Sequence, residues 1–185
     1  MVEKDLIYKG KIKQGGIFHF KDFYSFTYDW LINEDFDLVE KKYSEKVSGD
    51  AKEIEIIWEG YKKISDYFQF VFKIRWLILG MKDIEVQREG KKVKMNSGVL
   101  EINFQAVLEK DYEDRWESKP IFKFLRGVYD KYIIRNRIDQ YEDRIVGEIL
   151  ELIDQSKAFL ALESKVSQIK IMFLYYMQHF IKMFI

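Results

Sequence analysis

From Tyr67 to Leu79 the even positions are Phe68, Phe70, Phe72, Ile74, Trp76 and Ile78, while the odd positions include Gln69, Lys73 and Arg75. Side chains on a strand alternate between two faces, so this pattern demands an extended segment buried on one side and wet on the other. Leu100, Ile102, Phe104, Ala106 and Leu108 repeat it against Glu101, Asn103, Gln105 and Glu109. Weaker alternation surrounds these two. Leu6, Tyr8 and Ile12 share one side of a first strand ending at Gln14-Gly15-Gly16, and Val39, Tyr43 and Val47 share a parity before Ser48-Gly49-Asp50. Ile54 and Ile56 then alternate with Glu53 and Glu55 up to Glu59-Gly60. After Gly80, Ile84 and Val86 face Val93 and Met95 across Glu89-Gly90 in a short hairpin, and the second long strand follows Asn96-Ser97-Gly98. Glycine tolerates the positive φ of tight turns, so these breaks predict a first strand followed later by about six more in an antiparallel meander.

Between the first strand and the meander, Phe20, Phe23, Thr27, Trp30 and Leu31 follow helical spacing, and Trp30-Leu31-Ile32 breaks strand alternation, so Ile17 to Asn33 reads as a helix. A second, long helix opens at Ser118-Lys119-Pro120, where an N-cap candidate precedes the only proline. Ile121, Leu125, Val128 and Tyr132, then Ile138, Tyr141, Ile145, Ile149, Leu152 and Phe159, recur at steps of three and four with a phase slip near Arg135-Asn136-Arg137. Unbroken to Leu162 it would be about 65 Å long, which predicts a kink or break near residues 135–139.

Residues 163–185 are set apart as a second region, an amphipathic C-terminal helix beside a domain of residues 1–162. Phe173, Met177, Phe180 and Phe184 line one side; Ser164, Ser167, Gln168, Tyr175, Gln178, His179 and Lys182 lie opposite. Three uses are open: packing on the domain or on a second copy, lying at a membrane surface, or spanning a membrane, for which about 20 apolar residues are needed. The first twelve residues lack a signal-type apolar run, which predicts a cytoplasmic protein, peripheral to a membrane if the C-terminal helix is a membrane contact.

The residues exclude much chemistry. Aromatics at 17% are too many for a disordered chain. With 31 Lys plus Arg against 31 Asp plus Glu, no specific nucleic-acid partner is expected, and the basic residues from Lys119 to Arg144 are interleaved with acids at helix-neighbour spacing. There is no Cys, so no thiol nucleophile or Cys-bound metal, and His19 and His179 have no flanking ligand spacing. Acidic clusters at Glu53/Glu55/Glu59 and Asp111/Glu113/Asp114/Glu117 read as solvated surface, and neither a phosphate loop nor a nucleophile elbow is present. No catalytic residue, metal or cofactor is therefore assigned, and an enzyme is the lesser expectation.

Strand, helix, antiparallel strands, long helix: this order resembles the helix-grip arrangement of the START and polyketide-cyclase-like (SRPBCC) superfamily across about residues 5–160. The expected fold is thus α+β, an antiparallel meander gripped by a long C-terminal helix, plus the amphipathic helix. The resemblance implies a lipid or other apolar ligand between sheet and helix, lined by Phe70, Phe72, Trp76, Ile102 and Phe104 from the sheet and Phe122, Leu125 and Tyr129 from the helix. The same aromatics serve equally as plain core, since a sheet face packed on a helix needs large apolar side chains. The alternative function is a non-catalytic interaction or oligomerisation module, with Phe173, Met177, Phe180 and Phe184 contacting a membrane or partner. Stretches such as Asp111-Tyr112-Glu113 and Lys131-Tyr132-Ile133-Ile134-Arg135 are similar to those of archaeal proteins and imply no activity.

Overall fold

The computed structural model describes the backbone of residues 3–88, 91–113 and 134–183, and the side chains of 3–87, 92–113 and 134–161. Strand β1 (Glu3–Phe18) leads into helix α1 (Phe20–Asn33), followed by β2 (Asp37–Ser48), β3 (Ala51–Lys63), β4 (Phe68–Arg88), β5 (Lys91–Lys110) and helix α2 (Arg135–Met183). All pairings are antiparallel, in the order β1-β5-β4-β3-β2. The fold is therefore α+β, with a meander from β2 to β5 and β1 closing the far edge beside β5.

The strands are fewer and longer than the glycines suggest. Gly80 and Gly98 lie inside one long β4–β5 hairpin, and the short hairpin expected between them is part of it. At Gly98 a Cβ would stand 3.0 Å from the Leu79 carbonyl oxygen and 3.1 Å from the Met81 Cα, so the glycine permits a close backbone approach where the register shifts. Gly60 is likewise mid-strand, in contact distance of Phe36, whose ring stacks on Phe72 at 4.4 Å. The expected turn at Gln14-Gly15-Gly16 is paired strand, opposite Leu100, Val99 and Gly98.

Bulges correct two parity readings. A register shift between Leu6 and Tyr8 leaves Leu6 56% exposed, opposite Val107 on the outer face, while Tyr8 and Ile12 turn inward opposite Ala106 and Ile102. Another between Glu40 and Lys42 places Val39 on the outer face, opposite Glu59, and Tyr43 on the inner face, opposite Ile56. An extra residue in one strand reverses the facing of everything beyond it.

Helix α1 forms as its spacing predicts, burying Phe23, Thr27, Trp30 and Leu31. His19 caps it: its Nδ1 accepts the Asp22 amide hydrogen at 3.2 Å and its carbonyl accepts that of Phe23 at 3.1 Å. Asn96 on β5 ties this end to the sheet, accepting from the Phe20 amide at 3.1 Å and donating to Asp83 at 2.8 Å. Both helices cover the same sheet face, since Phe23 of α1 touches Trp76 at 5.4 Å and Phe159 of α2 at 5.5 Å.

Helix α2 buries Ile138, Ile145, Ile149, Leu152, Ile153, Ser156 and Leu160. Its backbone continues unbroken across residues 162 and 163 to Met183, about 74 Å in all at 1.5 Å per residue. The C-terminal amphipathic segment is therefore the end of this helix rather than a separate one. The expected interruption near 135–139 coincides with the described start at Arg135, after the bend at Ile134. The expected start at Pro120 lies outside the described residues.

Candidate functional site

The candidate cavity is the space between the inner sheet face and the helices. Register builds this face row by row. Tyr8, Ala106, Phe72, Gly60 and Leu38 lie side by side, then Gly10, Phe104, Ile74, Trp58 and Glu40, then Ile12, Ile102, Trp76, Ile56 and Tyr43. Small residues flank large ones, Ala106 and Gly60 beside Phe72 and Gly10 beside Phe104, which lets a layer of rings lie over the sheet without separating it from the helices.

The structure brings together all five sheet residues named above. Phe70, Phe72, Trp76, Ile102 and Phe104 are each 0% exposed. The space over them holds the chain's own side chains: Phe36 stacks on Phe72, Tyr141 meets Phe70 edge-on at 6.3 Å, and Trp76 lies 5.4 Å from Phe23, 6.1 Å from Tyr24 and 5.2 Å from Trp58. The helix residues Phe122, Leu125 and Tyr129 lie outside the described residues. Phe173, Met177 and Phe180 fall on the helical backbone of α2 with their side chains outside the described set, and Phe184 lies beyond it.

Three polar features interrupt the apolar layer. Lys62 continues the inward parity of Ile54, Ile56 and Trp58, and the strand delivers its ammonium to α2, 3.1 Å from Glu148, 3.8 Å from Glu34 and 5.1 Å above the Phe36 ring. Arg144 donates to the same Glu148 at 2.9 Å. A lysine at an inward position is the sequence signal for this contact, and local periodicity cannot name its partner, which lies 86 residues away.

The second feature is Glu40, which receives the Tyr24 hydroxyl at 2.8 Å and the Trp58 indole N–H at 3.1 Å. Burial, then the hydrogen bond to this carboxylate, pushes the Tyr24 phenol up to about 12. The third is a pair of wholly buried polar groups, Trp76 Nε1 and Ser156 Oγ, without hydrogen-bond partners among the described residues.

Chemically, this arrangement offers packing and a structural ion pair. No cluster of acids and histidines among the described residues has a metal-binding arrangement. No helix among them is long and apolar enough to cross a membrane. Compared with protein-family models, curated proteins and solved structures, the chain gives no significant match.

Proposed function

We propose that the chain is a non-catalytic assembly module that acts through its residues 163–185, which include the distal part of α2, on a protein partner that is in the first place a second copy of itself. The burial of Phe70, Phe72, Trp76, Ile102 and Phe104 supports this reading, because among the described residues Phe23, Tyr24, Phe36 and Tyr141 pack over these positions. Helical backbone past Leu160 extends about 34 Å at 1.5 Å per residue, and its sequence repeats Phe173, Met177 and Phe180 on one side. An apolar stripe on a helix gains from being covered.

Light scattering on the full chain tests the proposal. The expected result is an oligomer that Phe173→Lys with Phe180→Lys reduces to a monomer with unchanged circular dichroism. A chain that is monomeric throughout and pellets only with vesicles assigns the segment to a membrane surface instead.

The helix-grip ligand reading is the second possibility, favoured by the unpartnered Trp76 Nε1 and Ser156 Oγ within the layer. It takes over if a monomeric full chain binds a fluorescent apolar probe at one site per molecule and Trp76→Phe weakens that binding.

A further inference from the structure

The outer sheet face carries a basin of about 360 Å³ with its floor on β5. Register explains its shape. Gln105 lies between Lys9 of β1 and Lys73 of β4, and Asn103 lies between Lys11 and Arg75. Neighbouring strands are about 4.8 Å apart, so two shorter amides form a floor between walls of longer cationic side chains set about 10 Å apart.

The local carboxylates are already occupied. Glu55 is held by Lys42 and by Arg75, whose Nε donates to it at 2.9 Å. Glu59 lies 3.5 Å from Lys73 and 3.6 Å from Lys41, and Glu101 lies 2.9 Å from Lys11 and accepts from Asn103 at 3.3 Å. Each of these anions has at least two donors, whereas Lys9 has no ion pair and the Gln105 amide no hydrogen bond among the described residues. Cationic charge therefore exceeds anionic charge at this spot, although the whole chain is neutral.

We infer that this basin is a binding site for a phosphate group, taken between Lys9, Lys73 and Arg75 over the Gln105 and Asn103 amides. The guanidinium, oriented by Glu55, retains N–H groups in the planar fork that matches phosphate oxygens, and the ammonium groups supply point charges. Three paired strands hold these groups, with Glu55 on a fourth, so little ordering is needed on binding.

The test is a titration of the full chain with inorganic pyrophosphate, read by nuclear magnetic resonance at the Asn103 and Gln105 side-chain amides. Saturable shifts that weaken as salt rises are expected. Gln105→Glu places a carboxylate of the same size on the floor and is expected to weaken binding about tenfold or more, while Lys46→Gln, on the same face outside the basin, leaves it unchanged. A parallel arm with phosphatidic-acid vesicles separates the sources: co-sedimentation sensitive to Gln105→Glu without response to pyrophosphate identifies the phosphate as a lipid headgroup. The inference is overturned if neither pyrophosphate nor vesicles bind, or if Gln105→Glu leaves binding unaltered in a chain whose spectrum shows it folded.

Discussion

The two faces of the sheet are made by the same strands, yet they are held by different physics. On the inner face Phe72, Ile74, Trp76 and Ile78 are at most 1% exposed and interlock with both helices. On the outer face the intervening positions Lys73 and Arg75 pair with Glu59 and Glu55, and Lys11 with Glu101, in ion pairs open to water. Removing an apolar ring leaves a hole that surrounding structure fills only in part, whereas an exposed ion pair is replaced by solvent at little cost. The inner face therefore specifies the fold, and the outer face remains free to carry a surface property such as charge.

The largest expected effect comes from the inner face. Phe72→Ala should lower unfolding free energy by about 3–5 kcal/mol in denaturant titrations, against less than about 1 kcal/mol for the adjacent outward Lys73→Ala. Equal losses would break the comparison.

Next is the buried ion pair that crosses from sheet to helix. Glu148→Ala leaves the ammonium of Lys62, whose side chain is 10% exposed, with only the more distant Glu34 at 3.8 Å, and should cost about 3 kcal/mol. Replacing both, Lys62→Met with Glu148→Leu, should restore most of that loss, because two charges no longer need to be desolvated. A double variant as unstable as the single would show that the pair positions α2 rather than merely neutralising itself.

A smaller effect lies at alkaline pH. Burial raises the phenols of Tyr24 and Tyr61, each to about 12, with acceptor carboxylates Glu40 and Glu59 adding to it. A group whose pKa is raised on folding holds its proton more tightly in the folded state. Its contribution is complete below the ordinary value of 10.0 and is lost as pH rises toward 12. Phenolate absorbance should show these tyrosines titrating late, and Glu40→Gln should bring Tyr24 earlier while leaving Tyr61 in place.

The smallest effect is on the outer lattice in acid. Hydrogen bonds from Lys42 and Arg75 hold Glu55 below its usual range, and those from Lys11 and Asn103 do the same for Glu101. For a lowered pKa, stabilisation is present above the unfolded value near 4.5 and is lost as pH falls through the folded one. Melting scans should show Glu55→Gln flattening the acid limb slightly, with salt diminishing the difference. A large acid effect that survives high salt would mean the outer face contributes more to the fold than its exposure implies.

Much of the inner face is legible in residue order, because period-two alternation over Phe68 to Ile78 and Leu100 to Leu108 has one physical solution. The strand ends are not. Gly60 and Gly98 look like turns in sequence, and only their neighbours, the Phe36 ring and the backbone at Leu79 and Met81, show that they provide close approach within a ladder. Bulges at Glu40–Lys42 and Leu6–Tyr8 are equally silent, so the facing of Val39 and Leu6 could be set only by pairing. The outer basin depends on which lysine stands beside which amide across strands nearly a hundred residues apart.

The sequence by itself determined an α+β chain with an antiparallel sheet, one aromatic face, an early helix and a helical C-terminal region, since each follows from local periodicity and side-chain volume. Tertiary structure alone decided that five long strands replace seven shorter ones, that α2 is continuous to Met183, and that Lys62 meets Glu148. It also decided that the rings over Phe72 and Trp76 come from Phe36, Phe23 and Tyr24. The reason is that periodicity reports which side of an element is buried, whereas the identity of what buries it is set by register and crossing between segments far apart in the chain.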